Sequence, residues 1–390
     1  MFYKEIIFCC FIFFLKNVSS QEQDFIKIGI EKADSEHFEK AVFYFSEAIK
    51  INPNKASTFY LRANAFYNLN EFDSAIEDYT KVMQLKPDSA SAYNDRGDAY
   101  FEKKDFSKAL IDYTYLLGMF PKDTQAIYNR ACTYLELKKF NSSITDFNLL
   151  IELKPDWDAY YGRGCAYAET EDYLKAEVDF SKAIKLDPKQ SLPYNGRGNA
   201  LNDLGKHKKA IEDFNMALKL DSLVGYVYYD RGMAYYDMKK YLTAIIDFNT
   251  AIKLDSNDAD YFTMRSNSFY ELKQYSPALI DINKAIEMAP KEPYNYYNRG
   301  FIWVALKEYK KAVDDYTSAL KLKEDSDYYF ERAEVYYVVT DYLAAIRDYS
   351  ESIRVEPENP RAYNKRGLCK KELGDTYGAE KDFAQSKSTK

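Results

Sequence analysis

The sequence predicts an all-α fold, a solenoid built from short antiparallel helix pairs. Apolar and small residues recur with a period of 34 residues, most clearly from Trp157 to Gln190, in two groups whose members are three or four residues apart. That spacing places each group on one face of an α-helix. Pro188 ends the second helix of the unit, because proline cannot continue a helix. One pair buries too little apolar surface to be stable alone, so the copies are expected to stack.

The residues that define this unit fall at positions 4, 7, 8, 11, 20, 23, 24, 27 and 32 of the period. They are Tyr160, Arg163, Gly164, Tyr167, Ala176, Asp179, Phe180, Ala183 and Pro188. The pattern resembles the tetratricopeptide repeat (TPR), which has aromatic residues, alanine or glycine, and proline at these spacings. The resemblance implies a right-handed α-α superhelix whose first helices line a concave surface that binds proteins or peptides.

The chain begins with a segment of a different kind. Lys4 precedes an apolar run at residues 6–15, and small residues follow, among them Val18 and Ser20. Ten apolar residues are too few to span a bilayer as a helix, but they suit the hydrophobic region of a secretory signal. We therefore predict a signal peptide at residues 1–20 and an exported mature chain, either periplasmic or secreted. The alternative is an uncleaved membrane anchor.

Eleven repeats account for the mature chain, residues 21–390. They are predicted at 22–55, 56–89, 90–123, 124–156, 157–190, 191–224, 225–258, 259–292, 293–325, 326–359 and 360–390. The residues at positions 8 and 20 are small in every repeat, which lets the two helices of a pair approach closely. No interval is left for a second domain.

Composition and charge argue against several function classes. The formal net charge of −7 argues against binding to nucleic acid, because an acidic protein repels the phosphates. The two histidines, His37 and His207, are far apart, so no acid-base or metal cluster is visible and no cofactor is predicted. The mature thiols, at Cys132, Cys165 and Cys369, are predicted to be free.

Arginine at position 7 and aspartate at position 23 occur together in ten consecutive repeats, and the first repeat has neither. An arginine ladder for an acidic ligand is one interpretation, and a structural ion pair is the other. Joint presence and joint absence favour the ion pair, because an unpaired charge on a packed face is costly. Pairing within each repeat leaves no residue unmatched. The predicted pairs are Arg62 with Asp78, Arg96 with Asp112, Arg130 with Asp146, Arg163 with Asp179, Arg197 with Asp213, Arg231 with Asp247, Arg265 with Asp281, Arg299 with Asp315, Arg332 with Asp348, and Arg366 with Asp382.

A partner is expected to bind residues of the first helices that stacking does not use, chiefly at positions 5 and 9. Aromatic rings there could bury side chains of an extended polypeptide, and amides could bond to its backbone. The candidates are Tyr60, Asn64, Asn94, Tyr128, Tyr161, Asn195, Asn199, Tyr229, Asn267, Tyr297 and Phe330. The alternative is that the tyrosines only brace neighbouring helices. Position 13 is mostly acidic, so a ligand that reaches it would be basic.

Two known binding modes of the resembled family do not fit these residues. Members that clamp a C-terminal carboxylate carry lysine at position 5, which is never lysine here. Other members bind peptides with an asparagine at position 6 of successive repeats, whereas this chain has asparagine there only at Asn129 and Asn298. The sequence therefore predicts an exported, non-catalytic interaction scaffold that binds a protein or peptide, with no nucleic acid and no membrane anchor after cleavage. Self-association into a structural array and an enzyme with an unrecognised site are the alternatives.

Overall fold

The computed structural model describes residues 20–388, and every regular element in that range is an α-helix. The predicted signal peptide lies outside the described residues except for Ser20. No helix within residues 20–388 is both long enough and apolar enough to cross a membrane. The chain divides into two compact units, Met1–Lys189 and Gln190–Lys390.

The first unit contains ten helices among its described residues. They are α1 (20–34), α2 (Phe38–Ile51), α3 (Ala56–Asn68), α4 (Phe72–Leu85), α5 (Ala90–Glu102), α6 (Phe106–Met119), α7 (Thr124–Glu136), α8 (Phe140–Leu153), α9 (Trp157–Glu169) and α10 (Tyr173–Leu186). Each odd-numbered helix is the first of a pair and packs against the even-numbered helix that follows it; in the first pair, Gly29 of α1 lies against Phe45 of α2.

The second unit contains twelve helices among its described residues. They are α11 (Ser191–Asp203), α12 (His207–Leu220), α13 (Gly225–Asp237), α14 (Tyr241–Leu254), α15 (Ala259–Glu271), α16 (Tyr275–Met288), α17 (Pro293–Ala305), α18 (Tyr309–Leu322), α19 (Ser326–Val338), α20 (Tyr342–Val355), α21 (Pro360–Glu372) and α22 (Thr376–Ser388). The pairing is the same as in the first unit. The predicted all-α fold of tandem antiparallel helix pairs is confirmed.

In ten of the eleven pairs the core is an aromatic ring at position 24 of the second helix, which packs against a small residue of the first; in the pair α15–α16 the buried Ile282 takes the place of the ring. Phe180 of α10 is fully buried, and a Cβ placed on Gly164 of α9 would lie 2.7 Å from its Cε1 atom. Ala176 and Ala183 flank the ring and are also fully buried. The small residue at position 8 is therefore needed because the aromatic ring occupies the space that a larger side chain would take.

The turn within each pair contains a residue in the left-handed region of φ. At position 15 of all eleven repeats φ lies between 55° and 82°. Only two of these residues are glycines; the eleven are Glu36, Asn70, Lys104, Lys138, Glu171, Gly205, Lys239, Lys273, Lys307, Thr340 and Gly374. The conformation closes the first helix: the amide of Lys104 donates to the carbonyl of Phe101 at 2.8 Å, and that of Asp105 donates to Tyr100 at 2.8 Å.

Candidate protein-binding surface

The ten arginines at position 7 form ion pairs with the aspartates at position 23 of their own repeats. In each pair the arginine Nε donates to Oδ2 and Nη2 donates to Oδ1, at distances of 2.6 to 2.9 Å. The aspartates are only 2–7% exposed. This bidentate geometry joins the two helices of a pair within the repeat, as the sequence predicts. Each of these guanidinium groups is paired with an aspartate of its own repeat, so the arginines do not form a ladder for an acidic ligand.

The same arginines also bind the preceding repeat. Arg163 Nη1 donates to Asn148 Oδ1 at 2.6 Å, and Asn148 lies on α8, the second helix of the repeat before. Seven other arginines make the equivalent bond to serine, threonine or asparagine: Arg62, Arg96, Arg231, Arg265, Arg299, Arg332 and Arg366. The acceptors stand at position 25, which the sequence analysis did not single out. The sequence signal for them is a serine, threonine or asparagine at position 25 of each of the first ten repeats.

The tyrosines at position 5 pack against the ring at position 24 of the same repeat. The ring centroids of Tyr128 and Phe147 are 6.1 Å apart, and those of Tyr161 and Phe180 are 5.7 Å apart. Tyr60, Tyr229 and Tyr297 make the same contact. All five tyrosines are partly exposed. They therefore brace the helix pair while leaving part of each ring at the surface.

Two of the predicted binding residues are not available to a partner. Phe330 is 3% exposed because it packs on Tyr349 and because the guanidinium of Arg361 lies 4.5 Å from the centre of its ring. Asn195 is 8% exposed, and its amide donates to Asp230 at 3.0 Å. The expectation that these two side chains face a ligand is wrong, since neighbouring helices cover them.

The candidate asparagines form hydrogen bonds with other side chains of the fold, some within their own repeat and some with the next repeat. Asn195 and Asn199 both donate to Asp230 at 3.0 Å, which places position 6 of one repeat beside positions 5 and 9 of the repeat before. Asn94 donates to Asp98, and Asn64 accepts from the hydroxyl of Tyr79 at 2.7 Å. The amide of Asn267 lies 3.6 Å from the sulfur of Met264. Position 6 is the partner that the sequence analysis missed.

Asp98 is the centre of this network in the first unit. Its carboxylate accepts from the hydroxyl of Tyr113 at 2.5 Å, from Asn94 at 3.0 Å and from Asn129 at 2.8 Å. Burial raises the pKa of Asp98 to about 6, although the bond from Tyr113 opposes that shift. The nearby carboxylates of Asp95 and Glu102 raise it further. The site is thus acidic and partly shielded from water.

Three adjoining clefts run along the first helices of this unit. The first and second clefts share Asp98, and the first and third share Tyr128. Their volumes are about 340, 250 and 150 Å³. Aromatic, amide and carboxylate groups make up most of their lining, and Lys154 adds one cation to the third cleft. The largest is lined by Tyr67, Asp98, Phe101, Glu102, Tyr113, Gln125, Tyr128, Asn129 and Cys132; the second adds Asn64, Asn68, Tyr79 and Asp95; the third adds Thr124, Leu150, Lys154, Asp156 and Asp158.

The possible metal ligands and the cysteines of the described residues were compared with the requirements of metal and thiol sites. No group of three or more histidine, cysteine, aspartate or glutamate side chains within residues 20–388 could hold a metal ion. The three cysteines in that range are free thiols. Burial raises the pKa of Cys132 to about 12 and those of Cys165 and Cys369 to about 11, so each stays a neutral, weakly nucleophilic thiol at pH 7.

Family models match the chain over more than half of its length. A model described as TPR repeat matches residues 63–104, and models described as tetratricopeptide repeat match 26–55, 124–156, 157–190, 192–222, 225–258 and 293–326. No curated protein sequence matches the chain.

Solved structures share the fold at low sequence identity. A tetratricopeptide repeat protein from Parabacteroides merdae is 23% identical with a TM-score of 0.53, over 65% of this chain and 97% of that one. Cut9, in the APC/C hetero-tetramer Cut9-Hcn1, is 14% identical with a TM-score of 0.51, over 98% and 85%. Yeast Tom70 is 17% identical with a TM-score of 0.46, over 95% and 92%. Helix pairs, repeat signature and family matches agree: the chain belongs to the tetratricopeptide repeat family, whose fold is typical of scaffolds for protein–protein interaction.

Proposed function

We propose that this protein is an exported, non-catalytic scaffold that binds a polypeptide along the first helices of its first unit. The observation that carries the proposal is the run of three adjoining clefts across α3, α5, α7 and the start of α9. A continuous run suits an extended chain better than a compact small molecule, because successive side chains can enter successive clefts.

The chemistry of the clefts favours a basic segment. Carboxylates of Asp95, Asp98 and Glu102 lie on one face of α5, at positions 6, 9 and 13 of the repeat. Tyr67 and Tyr128 supply partly exposed rings beside them. Rings can bury the stems of lysine or arginine side chains while the carboxylates attract their charged ends. High salt should therefore weaken binding.

Export is proposed from residues 1–20 alone, because a short apolar run after a lysine and before small residues is typical of a secretory signal. Mass spectrometry of the protein recovered from its own organism would test it. A mature chain that begins at Gln21 supports export with cleavage. Recovery of a chain that keeps residues 1–20 contradicts it and favours the anchor.

Partner capture would test the binding surface. The mature chain, Gln21 to Lys390, is cross-linked in the exported fraction of its organism beside two variants with equal charge change, Glu102→Lys and Glu169→Lys. Both glutamates are exposed at position 13, but only Glu102 lines a cleft. We expect a partner that the wild type and Glu169→Lys retain and that Glu102→Lys loses. Equal retention by all three would place binding elsewhere.

Self-association is a second candidate, and one observation favours it. Second helices of the second unit expose large apolar side chains: Leu242 is 65%, Ile246 63% and Ile280 71% exposed. Exposed apolar patches commonly mark interfaces. Sedimentation velocity over a range of concentrations would detect oligomers. Ile246→Glu should abolish them if this face is the contact, and a monomer at every concentration rejects the candidate.

A further inference from the structure

Helix α21 differs in charge from the first helices that precede it. Positions 2, 5, 6 and 9, which contribute to the clefts of the first unit, carry several carboxylates but neither lysine nor arginine in the second to tenth repeats. In the eleventh repeat, Arg361 stands at position 2, Asn364 at position 5 and Lys365 at position 6. The residues at these positions therefore change from acidic to basic at α21.

A cleft of about 350 Å³ lies beside these residues, between α19 and α21. Arg361, Asn364 and Lys365 of α21 line one side of it, and Phe330 and Glu334 of α19 line the other. The side chains of Arg361 and Asn364 are exposed, and that of Lys365 is partly exposed. Because residues three and four apart share one face of a helix, all three can reach one ligand in the cleft.

The guanidinium of Arg361 lies on an aromatic ring but has no anionic partner. Its Cζ atom is 4.5 Å from the centre of the ring of Phe330, which belongs to the preceding repeat. Residues 20–388 supply no hydrogen bond or ion pair to this guanidinium. The contact with the ring holds the group in the cleft and leaves the N–H groups at its edge available. Arg361 differs in this respect from the arginines at position 7, each of which is paired with an aspartate.

The carboxylates of α19 do not neutralise Arg361. Glu334 pairs with Lys365, whose Nζ lies 2.6 Å from its Oε2 atom, and accepts a hydrogen bond from the hydroxyl of Tyr349. Glu331, one turn earlier on α19, is partly buried, and that burial, followed by the charge of Glu334, raises its pKa to about 7. It is therefore only partly ionised at neutral pH. The lining of the cleft keeps a net positive charge.

Neither the stability of α21 nor the end of the stack accounts for an arginine here. Arg361 is the second residue of α21, where the helix dipole disfavours a cation. It contacts Phe330 of the preceding repeat, so it is not one of the polar residues that face away from the stack. The same dipole favours an anion placed near this first turn.

We propose that Arg361, Asn364 and Lys365 form a site for the side-chain carboxylate of an aspartate or glutamate in a bound polypeptide. Two N–H groups of Arg361 bind the carboxylate in the bidentate arrangement that the position-7 arginines make with aspartate. The amide of Asn364 donates to the same carboxylate, and Lys365 adds positive charge. The inference rests on the proposed function in that the ligand is a polypeptide, but it adds an acidic ligand group and a second site, in the second unit.

Three peptides of glycine and serine test the site without knowledge of the partner. The first carries one glutamate and has blocked ends, the second has glutamine in its place, and the third has that glutamine and a free terminal carboxylate. Each is titrated into the mature chain labelled with ¹⁵N in its arginines, with the Nε–H signal of Arg361 assigned from Arg361→Lys. We expect a saturable shift of this signal with the glutamate peptide, and binding of the other two that is weaker by about fivefold or more.

Two results of the titration would overturn the proposal. One is the absence of a shift with the glutamate peptide, or an equal shift with the glutamine peptide, because the side-chain carboxylate would then contribute nothing. The other is tightest binding of the third peptide, because the site would then take the end of a chain and not an acidic side chain.

Variants of the chain separate the site from general charge effects, with binding followed by the line widths of the peptide's own proton signals. Arg361→Gln should weaken binding of the glutamate peptide by about fivefold or more, whereas Arg347→Gln, the same change at an exposed arginine on α20, should alter it less than about twofold. Asn364→Asp leaves the contact of Arg361 with Phe330 in place but adds a competing carboxylate, so it should weaken binding as much. Wild-type affinity in both Arg361→Gln and Asn364→Asp rejects the site.

Failure of this inference can be told from failure of the proposed function. Capture of a partner that Glu102→Lys loses would uphold the binding surface of the first unit even if the glutamate peptide does not bind at Arg361. Binding of the glutamate peptide with no captured partner would uphold the carboxylate site and reject the surface in the first unit.

Discussion

Asp179→Ala tests whether the bidentate ion pairs are structural. The change would remove both bonds from Arg163, whose side chain is only 15% exposed, and leave its guanidinium with Asn148 and the rings of Tyr160 and Tyr167. Breaking a buried pair from one side costs about 3–5 kcal/mol. The remaining bond to Asn148, the two rings and the residual exposure of Arg163 place the expected loss at the lower end, about 3 kcal/mol.

The double variant Arg163→Leu with Asp179→Leu should be milder, about 1 kcal/mol or less, because no charge is left without a partner. Repeat arrays do not always unfold in one step. Stability should therefore be measured by urea unfolding together with hydrogen exchange of peptides from α9 and α10. Glu169→Ala, an exposed change on α9, serves as the control and should stay within about 0.5 kcal/mol of wild type. A double variant as unstable as Asp179→Ala would refute the reasoning.

Three further changes probe other features. Glu331→Gln should stabilise the chain above about pH 7 by up to about 3 kcal/mol, and the gain should vanish below about pH 4.5. The wild-type carboxyl has a folded-state pKa of about 7, so the folded state binds more protons than the unfolded state in that interval and loses stability as pH rises. Urea unfolding at pH 4 and pH 8 checks this; equal gains at both would contradict it. Gly164→Val should cost about 2 kcal/mol in thermal or urea unfolding, because its Cβ would lie 2.7 Å from Phe180; no loss would mean that the ring can move aside. Lys104→Gly should gain about 0.5–1 kcal/mol because φ there is 60°, whereas the same change at Lys103, with φ of −74°, should destabilise; the opposite order would contradict the strain argument.

Periodic features of the fold could be predicted from the sequence because they depend on one repeat at a time. Small and aromatic residues such as Gly164 and Phe180 recur at a fixed spacing. The ring on the second helix of a pair limits the size of the residue that faces it on the first helix. The pairing of Arg163 with Asp179 followed from the joint occurrence of the two residue types. Such arguments need no knowledge of how neighbouring repeats are rotated against each other.

Features that depend on two repeats were harder to predict. The contact of position 6 with positions 5 and 9 of the repeat before involves residues of changing type, such as Asp230 and Asn129, so no single pattern reveals it. The burial of Phe330 depends on Arg361 in the next repeat.

The left-handed turn at Lys104 lies within one repeat and was also not predicted. The helix pair imposes that conformation on residues that are mostly not glycine, so no glycine pattern marks it in the sequence.

The double attachment of the arginines gives the chain a modular character. Arg265 pairs with Asp281 in its own repeat and bonds to Asn249 in the repeat before, and Arg231 bonds in the same way to Asn215. Removal of residues 225–258 would bring Arg265 beside Asn215, which offers the same amide oxygen. Whole repeats can therefore be gained or lost by recombination without leaving a buried charge unpaired. A break within a helix pair has no such protection, so selection should confine changes in length to multiples of the repeat.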